Sequence, residues 1–363
     1  MRRVRHYILA CVMSLFAFMG CDIHEFPDPQ SDALVPFNLH LNFDTEMSFH
    51  TEIPYTRNGD GGTKAPSSRH DFRYVINAYR TDGVVRESRV VDTTFIFTKS
   101  DLSDLNFVAP LKLREGSYTF RVWCDYVDVG STSDKYYDTR DFAKIILTSR
   151  ENHAGSNDYR DAFRGTSSAT IINPAFYTGA RASSIENEAY VEMKRPMGKY
   201  QFISTDVEAF LTRVMRMLMD RGVLNNNPNE LTFEQMLQSV DLEEFEVIMH
   251  YNYFMPREFN MFTDKPGDSW EKVSYKSSMK RINNTEMLLG HDFVFVNGTE
   301  TTLSIFVEVK NKDGEQMSLS KPVDVPIVRN KLTTVRGEFL TSKATGGVGI
   351  NPGYDGDDYN IEL

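Results

Sequence analysis

The residue with the most distinctive chemical setting is Cys21, which follows a short apolar run over residues 8–19. Arg2, Arg3 and Arg5 precede that run, which is too short to cross a bilayer, because a spanning helix needs about 20 apolar residues. A basic start, a short apolar stretch and a small residue before a cysteine are typical of a lipoprotein signal peptide. We predict cleavage before Cys21 and attachment of lipid, including palmitate, to this residue. The alternative is an ordinary signal peptide with a chance cysteine.

The other two cysteines do not indicate a disulfide framework. Cys11 would leave with the signal peptide, so Cys124 would be the one free thiol of an exported chain. In "YTFRVWCDYV" the residues Phe120, Val122 and Cys124 alternate onto one face of a predicted strand. We therefore predict that Cys124 is a small buried hydrophobic residue and not a nucleophile.

No local motif for catalysis or cofactor binding occurs in the sequence. It contains no HExxH, CxxC, phosphate loop, GxGxxG or GxSxG, and its eight histidines are scattered. A pair of catalytic carboxylates could still meet in space without a local signature. Asp355, Asp357 and Asp358 lie near glycines and could offer oxygen ligands to Ca²⁺, but they lack the spacing of a calcium loop and are more typical of a solvated tail. We predict no enzymatic activity, no cofactor and no metal site.

The charge of the chain limits the classes of partner. The formal net charge is −11, and loss of the first 20 residues would remove three arginines and no acid, leaving −14. Such an acidic surface disfavours nucleic acid and anionic lipid as partners, because both carry negative charge. The membrane would then be reached through the lipid on Cys21 rather than through a basic face.

Alternating apolar residues dominate the mature chain and predict strands. Examples are Phe37 to Phe43, "FRYVINAYR", "DTTFIFT", Phe245 to Tyr253 and Leu303 to Val309. The turns predicted between strands include Asn297-Gly298 and Asp313-Gly314. Many short strands separated by such turns indicate β-sandwiches, and the length suggests two of them.

A helical insertion interrupts the β pattern between about residues 205 and 240. Thr205 with Glu208, and Thr232 with Gln235, fit capping boxes at two helix starts, and Gly222 fits the end of the first helix. Methionines on the first helix could bind a partner, but a helix packed on its own sheet is the favoured interpretation. The sequence thus predicts a mainly β fold, with two tandem β-sandwich domains and this short helical insertion in the second.

The predicted divisions of the chain follow from these patterns. They are residues 1–20 for the signal peptide, 21–36 for a lipidated acidic tether, 37–188 for the N-terminal sandwich, 189–342 for the C-terminal sandwich, and 343–363 for a flexible Gly/Asp-rich tail.

Several segments resemble Bacteroidales fimbrillin-type lipoproteins, the group that includes fimbrial subunits and fimbrial anchors. They are "CDIHEFP", "FNLHLNFDTEM", "RPMGKYQFIST", "FNMFTDKPGDSW" and "VDVPIVRNKLTTVRGEFLT". The most specific part is Pro326, Arg329 and Asn330 followed by an apolar run, which is similar to the end of a fimbrillin C-terminal domain.

This resemblance implies two sandwiches of transthyretin-like topology, anchored by lipid at the outer membrane and exposed at the cell surface. In subunits of that family, cleavage after an arginine removes the first strand, and a neighbour's strand then fills the groove. Arg57, in "YTRNGDGG", is the candidate here, with a solvated loop arginine as the alternative. The partners implied are other fimbrial subunits or surface proteins, bound by strand addition.

The sequence is compatible with two functions. One is a structural fimbrial or adhesion protein that acts as anchor, accessory or subunit. The other is a surface lipoprotein that binds glycan or another nutrient beside a transporter, with exposed aromatic rings stacking on sugars. The candidate stacking residues are Trp270, Tyr251 and Tyr253, while Trp123 could be exposed or could pack between layers.

Overall fold

The computed structural model describes residues 33–43, 70–81, 90–225 and 227–342, and the backbone of 351–355 and 358–362. Cys21 and Arg57 lie outside these residues. The helices are α1 (Ala180–Ser183), α2 (Val207–Asp220) and α3 (Phe233–Ser239). The strands are β1 (Val35–Phe43), β2 (His70–Arg80), β3 (Thr93–Lys99), β4 (Phe107–Leu113), β5 (Gly116–Asp128), β6 (Tyr137–Asp138), β7 (Ile145–Leu147), β8 (Ala162–Ile171), β9 (Glu188–Met193), β10 (Met197–Ser204), β11 (Phe245–Tyr251), β12 (Phe254–Pro256), β13 (Glu258–Asn260), β14 (Lys265–Pro266), β15 (Ser269–Glu271), β16 (Ser274–Ser277), β17 (Lys280–Arg281), β18 (Met287–Phe295), β19 (Glu300–Asn311), β20 (Gln316–Leu319), β21 (Val323–Val328), β22 (Leu332–Gly337), β23 (Asn351–Asp355) and β24 (Asp358–Glu362).

The first sandwich has two sheets. The outer sheet has the order β4-β1-β9. The other sheet has the order β3-β2-β5-β8 and is called the shared sheet, because it borders both the first and the second core. β1 lies in the middle of the outer sheet, antiparallel to β4 and parallel to β9. Its alternate residues Val35, Phe37, Leu39 and Leu41 point into the first core, between the two sheets, as the period of two predicts.

The second sandwich is larger and contains the helices. Its six-stranded sheet has the order β17-β18-β10-β22-β24-β23, and its five-stranded sheet joins β16, β11, β19, β20 and β21. Alternate residues of β11 and β19 fill the second core between these sheets. Gly298 and Gly314 adopt φ of +74° and +81° in the turns that end β18 and β19, which confirms both turn predictions.

The shared sheet separates the two cores, and its central strands β2 and β5 are buried on both faces over most of their length. Val122 and Cys124 of β5 lie in the first core, whereas Trp123 lies in the second core. Trp123 is 0% exposed and contacts the rings of Tyr137, Phe259 and Phe295. Of the two open interpretations, Trp123 therefore packs between layers. A mainly β fold of two sandwiches with helices in the second is confirmed.

The passage between the sandwiches lies beyond the predicted boundary at residue 188. β9 covers 188–193 and places Ala189, Val191 and Met193 in the first core, because it pairs with β1. β10 then begins at Met197 in the six-stranded sheet. The chain therefore passes from the first sandwich to the second at residues 194–196, and not at the predicted boundary between residues 188 and 189.

The helices pack on the second core, with one error in the predicted caps. Thr232 and Gln235 form the expected capping box of α3, and Gly222 adopts φ +71° at the end of α2. The Thr205–Glu208 box is wrong, because Asp206 is the N-cap residue and makes no side-chain bond to the helix. Its carboxylate instead accepts from the backbone N–H of Thr341, at 2.7 Å.

Part of the predicted flexible tail has regular structure. β23 and β24 pair with each other, and β24 runs parallel to β22 at the edge of the six-stranded sheet. The flexibility predicted for 343–363 stays a prediction, and 351–355 and 358–362 within it form strands. β24 pairs there because, without it, β22 would be an edge strand whose unpaired backbone N–H and C=O groups can bond to an extended segment nearby. No helix in the described part of the chain is long and apolar enough to span a membrane.

Candidate functional site

The most highly charged buried cluster surrounds Asp292 in the second core. One carboxylate oxygen lies 2.6 Å from Nε2 of His153 and accepts a 2.7 Å bond from the Tyr251 hydroxyl. The other oxygen accepts from the Arg160 guanidinium and from the backbone N–H of Phe293. Both oxygens are thus fully bonded, which is the condition under which a buried charge is tolerated.

The surroundings shift the pKa values of this cluster in a consistent direction. Burial alone would raise the pKa of Asp292, but the charge of Arg160 and the bonds from His153 and Tyr251 outweigh it and lower the pKa to about 2. Burial and the nearby Arg160 lower the pKa of His153, against the attraction of Asp292. An ionised Asp292 beside a charged Arg160 and a neutral His153 is therefore the stable state near neutral pH.

Three tyrosine hydroxyls extend the Asp292 cluster across the second core. The Tyr200 hydroxyl lies 3.1 Å from the hydroxyls of Tyr251 and Tyr275, and Tyr275 donates to the backbone carbonyl of His291 at 3.0 Å. Burial, as the largest cause, raises the pKa of all three phenols well above the usual value. They remain neutral donors and link both sheets of the second sandwich.

A second cluster joins the two sandwiches through Arg195, which is 0% exposed. Its guanidinium donates to both carboxylate oxygens of Asp161, at 2.8 to 3.0 Å, and to the side-chain oxygen of Asn330 at 3.0 Å. It also lies over the ring of Phe163, 4.5 Å from the centroid. Asp161 and Phe163 come from the start of the shared sheet's β8, whereas Asn330 belongs to the β21–β22 turn, so this cluster joins the two halves.

Arg329, the arginine of the family-like motif, has an analogous role. It donates to the Asp264 carboxylate at 2.8 Å and to the carbonyl of Val296 at 2.8 Å. Arg164 of β8 binds the same carboxylate oxygen at 2.8 Å. Asn330 adopts φ +59°, a left-handed conformation that asparagine tolerates better than most residues. The Arg-Asn pair thus forms a turn that is linked to the β8 region indirectly, through Asp264 to Arg164 and through Arg195 to Asp161.

A third cluster lies where the shared sheet faces the second core. Arg73 makes two parallel bonds to Asp125, at 2.7 and 2.9 Å, and a further bond to Asp134 at 2.8 Å. Asp134 in turn accepts from the hydroxyl of Thr139 at 2.8 Å. This cluster fixes the 130–139 loop against the sheet. Each of the three clusters therefore holds elements of the fold together.

The sequence-predicted aromatic residues do not assemble into one stacking surface. Tyr251 is 2% exposed and its hydroxyl binds Asp292, so its assignment as a stacking residue is wrong. The sequence did contain an indication of this burial, because Tyr251 alternates in step with Val247 and Met249, which also face inward. Tyr253 lies beyond the end of β11 and is 66% exposed.

Trp270 is half-buried and packs against the second core beside Met255, its partner in the β12–β15 pair. Because neighbouring side chains alternate across a strand, exposed Phe254 points to the face opposite Trp270. Trp270 is thus half-buried against the second core, whereas Tyr253 is exposed.

A different exposed ring stands on the outer sheet. Tyr190 of β9 is 58% exposed and stacks on His40 of β1, with 4.5 Å between the ring centroids. Its hydroxyl donates to Glu188 at 3.0 Å, and the other oxygen of that carboxylate lies 3.3 Å from His40 Nε2. A flat ring beside a carboxylate on an open sheet can stack on, and hydrogen-bond to, a polyhydroxylated ligand. No sequence pattern identified this group, because β1 and β9 are far apart in the chain.

A similar group on the second sandwich is more enclosed. His250 stacks on Phe306 with 4.5 Å between the centroids, and its Nε2 lies 3.2 Å from Glu308. Burial lowers the pKa of His250 although Glu308 opposes the shift. The aromatic ring here is only partly exposed and carries no hydroxyl, so this group offers less to a polar ligand than Tyr190 does.

Two further features of the described residues bear on chemistry, the Cys124 thiol and a shallow cavity at the start of α2. Cys124 is 0% exposed, and burial raises the pKa of its thiol well above the usual value, which confirms a buried hydrophobic residue. No group of three or more potential metal ligands converges in the described part of the chain. A shallow cavity of about 570 Å³ at the start of α2 is lined by Glu208, Arg213, Arg216 and Glu338 among others, but Asp206 at its base is already fully bonded.

The fold and these sites define a β protein of two sandwiches that share one sheet, with its described charged clusters engaged in holding that architecture together. The chain belongs to a family of unknown function (DUF6562), whose sequence profile matches residues 32–363. No curated protein sequence matches the chain.

Solved structures similar to this fold include Bacteroidales adhesion and fimbrial proteins. A protein from Bacteroides ovatus described as a candidate adhesin has a TM-score of 0.41 and 10% identity, over 79% of this chain and 78% of that one. The fimbrial anchor protein of Porphyromonas gingivalis has a TM-score of 0.35 and 11% identity, over 79% and 82%. A fimbrial assembly protein from Parabacteroides distasonis has a TM-score of 0.36 and 9% identity, over 84% and 91%. All three scores lie below 0.5.

Proposed function

We propose that this protein is a lipid-anchored structural protein of the cell surface, related to fimbriae and without catalytic activity. It would serve as an anchor, an accessory component or a subunit at the outer membrane, with other fimbrial or surface proteins as partners. The observation that carries the proposal is the position of β1, which begins within the last two residues of the predicted tether and lies between β4 and β9 in the outer sheet.

The position of β1 suits a chain that is held by its N-terminus. Any pull from a lipid on Cys21 would reach the fold through β1, which is hydrogen-bonded on both sides. Val35, Phe37, Leu39 and Leu41 are each at most 3% exposed, and burial of such a side chain contributes about 1.5–3 kcal/mol. The strand is therefore firmly seated, and only a strand of similar pattern could replace it.

Substitution of the cysteine tests the anchor. In cells that produce the full chain, Cys21→Ser should abolish incorporation of labelled palmitate and release the protein from the outer-membrane fraction. Cys124→Ser is the matched control, because its thiol is buried and should leave both readouts unchanged. Palmitate retained by Cys21→Ser would exclude lipidation at this residue.

Cleavage at Arg57 would distinguish a subunit from an anchor or accessory protein. If an arginine-specific protease cuts there and frees β1, copies should exchange strands and form a ladder on an unboiled denaturing gel. Arg57→Ala should then abolish the ladder. Clean cleavage with a single monomer band would exclude the subunit role and leave the anchor or accessory roles.

Glycan binding is the second candidate function, and the exposed Tyr190–Glu188–His40 group is the observation that favours it. On a glycan array, Tyr190→Ala should lose binding that the parent protein shows, since the stacking ring is removed. Tyr253→Ala is the matched control, because Tyr253 is similarly exposed but has no carboxylate partner in the described residues. Equal binding by both variants, or none by the parent, would contradict this candidate.

A further inference from the structure

The β3 edge of the shared sheet is unpaired among the described residues. β3 hydrogen-bonds to β2 on one side, and the sheet order β3-β2-β5-β8 ends there. β3 is seven residues long and contains no proline, glycine or charged residue between Thr93 and Thr98. Such an edge is open to pairing with another extended chain.

The two edges of the outer sheet are protected by their side chains. β4 contains Pro110 and Lys112, and β9 contains Glu188 and Glu192. Proline and outward charges are the usual devices that prevent edge-to-edge pairing. β3 lacks these devices along its central part, and its central residue, Ile96, is 45% exposed. The difference between the edges therefore marks β3 as a candidate interface.

The hydrogen-bond pattern shows which backbone groups β3 offers. Thr81 donates to the carbonyl of Ser117 at 2.8 Å, so the odd-numbered residues of β2 bond to β5 and the even-numbered ones bond to β3. In the β2–β3 register Ile76 lies opposite Phe95, so the odd residues of β3 bond to β2. The N–H and C=O groups of the even residues of β3 therefore point out of the sheet. These residues are Thr94, Ile96 and Thr98.

The sequence of the β3 edge is palindromic. Residues 94–98 read Thr-Phe-Ile-Phe-Thr in either direction, centred on Ile96. A two-fold axis through Ile96 would place Ile96 opposite itself, Thr94 opposite Thr98, and Phe95 opposite Phe97. Aromatic, β-branched and Thr–Thr cross-strand pairs are all favourable, and the outward backbone groups fall on the hydrogen-bonded positions.

We propose that two copies of this chain associate through β3, in an antiparallel pairing centred on Ile96. The two shared sheets would form one continuous eight-stranded sheet with two-fold symmetry. This contact is isologous, so it closes as a dimer and does not propagate into a fibre. It is separate from the proposed exchange of β1, which lies in the other sheet.

Disulfide trapping tests the contact in the full chain. In a hydrogen-bonded antiparallel pair the two Cα atoms are about 5.5 Å apart, which lies within the range that a disulfide spans. Ile96→Cys should therefore give a dimer on a non-reducing gel after mild oxidation. Val108→Cys is the matched control, because Val108 is similarly exposed, at 48%, but lies on β4, the edge that Pro110 and Lys112 protect. Equal dimer from both variants would overturn the proposal.

A charge at the same position gives an independent readout. Ile96→Lys places two ammonium groups opposite each other and should weaken the dimer about tenfold or more in sedimentation velocity, with Val108→Lys unchanged. An unaltered circular dichroism spectrum would show that both variants fold. A parent protein that sediments as a monomer at all concentrations, or a dimer that Ile96→Lys leaves unchanged, would contradict the proposal.

Discussion

The first core and the second core lie on opposite faces of the same sheet, yet they are built differently. The buried residues of the first core are apolar side chains supplied by alternating strands, such as Leu39 and Val122. The second core combines similar apolar residues with Asp292, Arg160, His153 and three tyrosines. Around β1 the first core therefore depends on apolar burial, whereas the second core also depends on correct pairing of charges.

This difference gives the two regions different roles. Apolar packing is tolerant of changes that conserve volume, so a strand such as β1 could be replaced by another with the same pattern. A buried charge network permits little variation, because each lost partner leaves a buried charged group without its counter-charge. The second sandwich is thus suited to hold a fixed shape, while the first contains the strand whose exchange we propose.

Removal of the central carboxylate should have the largest effect. Asp292→Ala leaves Arg160 buried without its counter-charge and should lower the free energy of unfolding by about 3–5 kcal/mol. Chemical denaturation followed by tryptophan fluorescence measures this, because Trp123 and Trp270 both contact the second core. Asp268→Ala removes an exposed carboxylate and is the control, with little expected loss. A loss below about 1 kcal/mol for Asp292→Ala would contradict the role of the cluster.

Truncation in the first core should have a similar or slightly smaller effect. Leu39→Ala removes a side chain that is 0% exposed and should cost about 2–5 kcal/mol. Because the shared sheet belongs to both cores, circular dichroism and tryptophan fluorescence should report the same transition in this variant. Two separate transitions would show that the sandwiches unfold independently and would weaken the idea of a shared sheet that couples them.

Acid should affect the second core through Asp292, with an effect on the order of 2 kcal/mol. The pKa of this carboxyl is about 2 in the folded protein, against about 3.9 in an unfolded chain. The lowered pKa means that the stabilisation is fully present above pH 4 and is lost as the pH falls towards 2. His153, whose folded pKa is also lowered, adds a loss that starts as the pH falls below about 6.5. Urea denaturation at a series of pH values measures both steps, and Asp292→Asn should remove the lower one. An unchanged acid step in that variant would assign it to other groups.

The sequence predicted the parts of the fold that depend on local periodicity. Alternation placed Leu39 and Cys124 inside, and the Thr232–Gln235 box marked the start of α3. It failed at Thr205, because neighbouring Asp206 binds Thr341, which is 135 residues away in the chain. The glycine-rich composition of the tail likewise does not show that its backbone pairs with the edge of β22.

The polar sites could not be predicted, because their members are far apart in the sequence. Asp292 and His153 are separated by 139 residues, and Arg195 and Asn330 by 135. The Arg329–Asn330 motif was noticed as a resemblance, but its physical role required the contacts with Asp264 and Arg195. Tyr190 was missed because an isolated tyrosine in a strand does not reveal that His40 and Glu188 flank it.

Recovery of the chain with surface fibres is the most direct test of the proposed function. Fibres would be sheared from cells that make either the parent chain or Cys21→Ser, and the cells, the fibres and the medium would be probed for the protein. We predict that the parent chain stays with the cells and retains fibres there, whereas Cys21→Ser is recovered with fibres released into the medium. A chain that is absent from the fibre fraction of both strains, with fibre attachment unchanged, would contradict a structural role in fimbriae.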